Sequence, residues 1–199
     1  MLKYKGIYGK YQTPERLTRM TFGEKTIRKE TLYEGKILNL EKHQVLLQNG
    51  ELAARELIFH GPAVGIFALR DEQIVLVRQF RKGIEAVSLE VPAGLVDPGE
   101  DLLLAAKREF AEETGMAGEK WQALDGFYVT PGYNDEFIQM YMCEEVHDLP
   151  EPPAQDDDEN IELIYLDYTA AKAAITKGEI TDMKTIYAIQ YWQIMKLQG

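Results

Sequence analysis

The sequence predicts an α+β fold, with a mixed sheet and helices packed on it, and an antiparallel β appendage at the N-terminus. Three observations lead there. Short apolar runs are separated by turns: Asn49-Gly50 is a strong tight-turn signal, and Asp71-Glu72 joins two runs that read as strands. Helical spacing of apolar residues governs three later stretches, 101–114, 168–177 and 184–196, interleaved with further strand-like runs. Hairpins among alternating strands and helices argue against a purely parallel sheet.

Residues 1–28 mix charge, aromatics and glycine with no period, so no structure is assigned to them. The pattern over 31–47 suggests strands, and the Asn49-Gly50 turn leads into the apolar run 52–59. Residues 63–69 and 74–77 read as two strands joined by Asp71-Glu72. This divides the chain into a β-rich appendage, 1–58, and a main domain, 59–199. Pro98-Gly99 makes a loop before the helix 101–114, in which Leu103, Ala106 and Phe110 share a face and Gly115 supplies the stop. Strands at 127–128 and 137–143 flank a Pro131-Gly132 loop. The proline-rich, acidic stretch 144–160 reads as a surface loop, 161–166 as a strand, and two helices follow.

At 199 residues, 45% apolar and 28% charged, the chain is long enough to bury a sizeable core. A formal net charge of −11 argues against a nucleic-acid partner, whose phosphates call for a basic surface. It leaves room for a phosphate-bearing small molecule, because clustered carboxylates bind anions through metal ions. Cys143 is the only cysteine, so no intramolecular disulfide forms, which fits a reducing compartment. There is no apolar run of membrane-spanning length and no signal-peptide pattern, so no membrane partner is expected and the cytoplasm is the expected location. His43, His60 and His147 lie far apart with no metal spacing, and Cys143 reads as core.

The chemistry concentrates at the end of the helix 101–114. Glu109, Glu112 and Glu113 stand at i, i+3 and i+4, gathered on one helical face. Such like-charge pairs repel by roughly 0.2–0.5 kcal/mol each. Near a helix C-terminus each anion is disfavoured by a further 0.3–1 kcal/mol or so. A divalent cation among these oxygens removes both penalties. For three glutamates alone, a solvated acidic face is the favoured reading.

Their surroundings change that judgement. Gly94, Glu100, and the run Arg108-Glu109-Phe110-Ala111-Glu112-Glu113-Thr114-Gly115-Met116 resemble the Nudix box at each of its nine specified positions over 23 residues. The resemblance implies the Nudix α/β/α sandwich and Mg²⁺-dependent hydrolysis of a nucleoside diphosphate derivative, with Mn²⁺ able to substitute. It implies that Glu109, Glu112 and Glu113 bind metal together with the backbone carbonyl of Ala93, and that Glu112 and Glu113 take part in catalysis. Arg108 and Glu100 would be a structural pair, and Gly94 and Gly115 backbone devices.

The flanks resemble the ADP-ribose pyrophosphatase branch. These are Val77-Arg78-Gln79-Phe80-Arg81, Leu89-Glu90-Val91-Pro92-Ala93-Gly94, Thr130-Pro131-Gly132-Tyr133, and the 178–180 and 182–185 segments. Pro131 follows Gly115 by 16 residues, a spacing typical of ADP-ribose hydrolases. The branch implies cleavage of ADP-ribose to AMP and ribose 5-phosphate. Arg81 is the candidate to grip pyrophosphate oxygens, with Arg78 second, each weighed evenly against ordinary strand-end charge. Glu136 is a candidate for a ribose hydroxyl, against solvated loop charge. The branch also implies a loop carboxylate outside the box, acting as base or last metal ligand. Glu159 is chosen for it, with Glu162 as runner-up and a solvated acidic loop as the bland alternative. A homodimer completed by the N-terminal segment is a further implication. Two rivals stay open: a Nudix hydrolase of another nucleotide, such as a GDP-sugar or dinucleoside polyphosphate, and a non-catalytic sensor that binds ADP-ribose.

Overall fold

A computed structural model describes residues 23–153 and 160–198. The chain forms two units, one of residues 1–62, 97–99 and 127–138, the other of residues 63–96, 100–126 and 139–199.

In the first unit β1 (Lys25–Glu34), β2 (Leu38–Leu46) and β3 (Leu52–His60) form an antiparallel sheet in that order. β1 starts within the stretch to which no structure was assigned. All ten of its side chains are exposed, so no apolar alternation betrays it, and its backbone ladder with β2 holds it. The strand-like run 31–47 breaks at Gly35, whose N–H bonds Leu38 O at 3.0 Å. The Asn49-Gly50 turn forms as read, with Gly50 at φ +83 and Leu47 N–H donating to Glu51 O at 2.8 Å. The loop containing Pro131 docks on β3: Ile58 N–H donates to Tyr133 O at 2.7 Å, Asp135 N–H to Ile58 O at 3.3 Å, and His60 N–H to Asp135 Oδ1 at 2.8 Å.

The second unit is built on a mixed sheet in the order β10-β5-β4-β9-β8, with β6 added on β5 and β7 on β4. Its strands are β4 (Ala63–Arg70), β5 (Gln73–Arg81), β6 (Ala86–Glu90), β7 (Ala93–Leu95), β8 (Met116–Tyr128), β9 (Phe137–Asp148) and β10 (Glu162–Leu166). Among the described residues there are three α-helices, α1 (Leu102–Thr114), α2 (Tyr168–Thr176) and α3 (Met183–Gln198), and a short 3-10 turn at Lys82–Ile84. The observed architecture is the predicted α+β class. Asp71 and Glu72 both take left-handed φ values, 49° and 59°, giving the tight β4–β5 connection that the apolar runs on either side called for.

The core is centred on β4 and β5. Val64, Ile66, Phe67 and Ala68 on β4 and Ile74 to Val77 on β5 have no exposed surface, which is why both strands read as unbroken apolar runs. Trp192 of α3 packs on Phe67, and Phe110 of α1 meets Trp121 of β8 edge-on. Two sequence readings are corrected here. β8 runs for 13 residues, not two, and β9 continues to Asp148 through residues read as surface loop. Most of β8 is at least partly exposed, so pairing rather than hydrophobic period defines it. Arg70 anchors the far end of β9 with a two-bond fork on Asp148 at 2.6 and 2.8 Å.

Candidate active site

α1 is fixed at both ends by its sequence. The Asp101 carboxylate accepts from the N–H groups of Leu103 and Leu104 at 2.9 and 3.3 Å, and Gly115 closes the helix at φ +69. Ala106 and Phe110 are buried and Leu103 partly so, and that apolar stripe sets the rotation of the helix. Glu109 and Glu113 are thereby brought beside the strand β7.

Glu113 is buried, 3% exposed, and its Oε2 accepts the Ala93 N–H at 3.0 Å. Gly94 follows at once, and a Cβ there would stand 2.0 Å from the Glu109 carboxyl carbon. A side chain there would push that carboxylate aside, so glycine is favoured by the close approach rather than by φ. β7 is held in turn by β4, with Gly65 opposite Ala93 and Val64 opposite Gly94.

Arg108 ties this assembly together. Its Nε and Nη2 fork on Glu100 at 3.0 and 2.9 Å, and Nη2 also donates to Leu95 O at 2.9 Å. Its Nη1 donates to Glu109 at 2.7 Å and Glu112 at 3.0 Å. The guanidinium pKa is pushed up, first by the Glu100 bonds, then against burial by Glu109 and Glu112. Part of the repulsion that the sequence assigned to a divalent cation is therefore met by an arginine. Among the described residues no three Asp, Glu, His or Cys side chains stand in a ready-made metal cluster, since Glu109 and Glu112 turn to Arg108. The donor set itself fits a divalent ion: anionic oxygens are what a hard cation takes, and the bare Gly94 backbone leaves the Glu109 carboxyl uncovered by any Cβ.

A second polar cluster adjoins the box. Arg81 Nε and Nη2 fork on Glu90 at 2.9 and 2.8 Å, and Lys184 Nζ reaches the same carboxylate at 2.5 Å. Lys184 also bonds Asp182 at 3.0 Å. Asp182 accepts the N–H of Thr185 at 2.9 Å and so caps α3, while Thr185 Oγ1 accepts the Val91 N–H at 2.7 Å. Burial pushes the Glu90 carboxyl pKa up, but the Arg81 bonds and then Lys184 outweigh it and bring it down to about 2. The sequence reading gave neither Glu90 nor Lys184 a role, although both stand in the flanks that carry the resemblance. Glu90 and Lys184 lie 94 positions apart, and a lysine in the first turn of a helix carries no local sign of burial.

Arg78 pairs with Glu162, its cross-strand partner between β5 and β10, and both are half-exposed. Glu136 belongs to the first unit, where its N–H donates to Asn134 Oδ1 at 3.0 Å and its carbonyl accepts from Val129 N–H at 3.1 Å. Glu159 lies outside the described residues.

Comparison with known proteins places this geometry. The NUDIX domain model matches residues 59–186, most of the chain and all of the box, so the chain belongs to the Nudix family. It is 39% identical over 172 residues to the ADP-ribose pyrophosphatase of Bacillus subtilis (strain 168), covering 86% of this chain and 93% of that one. It is 37% identical over 176 residues to the methanol dehydrogenase activator of Bacillus methanolicus, covering 88% and 95%. The crystal structure of an ADP compounds hydrolase superposes with a TM-score of 0.79 at 22% identity, over 88% of this chain and 96% of its own, a likeness of fold.

Proposed function

We propose that this Nudix pyrophosphohydrolase cleaves the pyrophosphate of ADP-ribose to AMP and ribose 5-phosphate, using Mg²⁺ with Mn²⁺ as a substitute. The observation that carries this reading is the Gly94–Glu109 close approach and the Ala93–Glu113 bond, within a chain that shares 39% identity with an ADP-ribose pyrophosphatase. Glu109, Glu112, Glu113 and the Ala93 carbonyl would hold the metal. When bound, it supplies charge neutralisation at the phosphates and lowers the pKa of a coordinated water. The residues of the chain do the rest. Arg108 keeps the box loop on the helix, so the carboxylates stay aligned while their charge is shared. Arg81 turns from Glu90 to fork on pyrophosphate oxygens, and Arg78 lends positive charge nearby on β5. Glu159, with Glu162 as the alternative, takes the proton of the attacking water. Glu136 takes a ribose hydroxyl.

The assembly proposed is a homodimer in the cytoplasm. An exposed β1 with Ile27, Leu32 and Tyr33 open to solvent supports the first part, and a single buried thiol, Cys143, the second. Among the described residues no helix is long and apolar enough to cross a membrane. Substrate profiling of the purified protein with Mg²⁺ tests the function. ADP-ribose is expected to give the highest kcat/KM. Equal or better turnover of GDP-sugars or dinucleoside polyphosphates would remove the substrate assignment, and binding of ADP-ribose without turnover would favour a sensor.

A further inference from the structure

Glu90 is the point where two cations meet, and they differ in freedom. Lys184 is buried, its side chain 9% exposed, and it is pinned from behind by Asp182. Arg81 sits at the end of β5 with 43% of its side chain exposed. The Glu90 side chain between them is 5% exposed. A buried carboxylate that loses its only partner is strongly destabilised. If Arg81 were the sole counter-charge of Glu90, leaving it for a substrate would strand that carboxylate, and substrate binding would bear the cost. Glu90 is not left alone, because Lys184 stays.

We propose that Lys184 is a positioning residue for substrate binding, a resident counter-ion that keeps Glu90 neutralised so that Arg81 can exchange this carboxylate for the oxygens of a nucleoside diphosphate. The inference rests on the reading above in which Arg81 grips the pyrophosphate. The fixed half of the exchange is built into the start of α3. Asp182 orients the ammonium and caps the helix with the same carboxylate, so Lys184 cannot follow Arg81 toward solvent. The mobile half is the exposed guanidinium, which already presents the two-bond fork that a diphosphate needs.

Steady-state kinetics with ADP-ribose and Mg²⁺ tests this. Lys184→Met is expected to raise KM about tenfold while kcat stays within about twofold, because only uniform binding is lost. In a Glu90→Gln background there is no charge to neutralise, so adding Lys184→Met should change KM by less than about twofold. That pair of variants also serves if Lys184→Met alone does not fold, since a neutral pair is tolerated where a broken ion pair is not. An unchanged KM in Lys184→Met, or the same tenfold rise in the Glu90→Gln background, overturns the proposal. Arg81→Lys separates it from the reading beneath. If Arg81→Lys leaves KM unchanged, Arg81 does not bind substrate and both fall. If Arg81→Lys raises KM and Lys184→Met does not, only the role of Lys184 falls.

Discussion

Glu113 has almost no contact with solvent, and its Oε2 accepts the peptide N–H of Ala93. A carboxylate so placed holds its orientation before any ligand arrives, and Ala93 and Gly94 cannot shift without moving it. Substitution there tests the metal assignment most directly. Glu113→Gln keeps the shape and loses the charge, and at saturating Mg²⁺ it is expected to lower kcat by at least the 10–100-fold or so typical of changes just outside a metal's ligands. Full turnover in that variant would remove Glu113 from the ligand set. The residues of this neighbourhood were legible in the sequence because they lie within 23 positions of one another. The Glu90–Lys184 pair was not, since its two halves come from β6 and α3 and only the fold brings them together. Nor could spacing reveal that Arg108 would bond Glu109 and Glu112 as well as Glu100, because a guanidinium has five donors and sequence does not say how they are shared.

At the scale of elements, α1 is the part most plainly written in the chain: an apolar stripe and a terminal glycine agree on one helix, to which the structure adds Asp101 as its cap. Its cap is open to test. Asp101→Ala removes the acceptor for two backbone N–H groups and should lower stability by about 1 kcal/mol, read as a shift in urea midpoint with an unchanged slope. A midpoint equal to that of the unmodified protein would mean the cap adds nothing. β1 and β8 stand at the other extreme. Both lie where few side chains are buried, so hydrophobic periodicity had nothing to report, and their existence depends on the main-chain ladders of neighbouring strands. The Asn49-Gly50 turn was readable for the opposite reason: it declares itself through local conformational preference alone, whereas Asp71-Glu72 was read from the apolar runs on either side.

For the whole molecule, the exposed apolar side chains of β1 and its neighbours bear on assembly. Ile27, Leu32, Tyr33, Ile37 and Leu52 are each about half exposed or more. A second copy covering this sheet would remove them from water, and gel filtration with in-line light scattering at micromolar concentration should return twice the chain mass of 22.7 kDa. A mass of one chain would end the dimer proposal and leave the sheet to serve some other surface.

The hold of Ile58 on the loop around Pro131 bears on how far the chain can be shortened. Both main-chain groups of Ile58 are spoken for by Tyr133 and Asp135, residues some 75 positions downstream. A version begun at residue 59 would therefore keep every residue of that loop yet orphan a carbonyl and an amide in it, and His60 would be left as the nearest surviving tie through Asp135. The end of β3 is in this sense a jig for a distant bend, and a cut just past Ile58 reshapes the molecule well behind it.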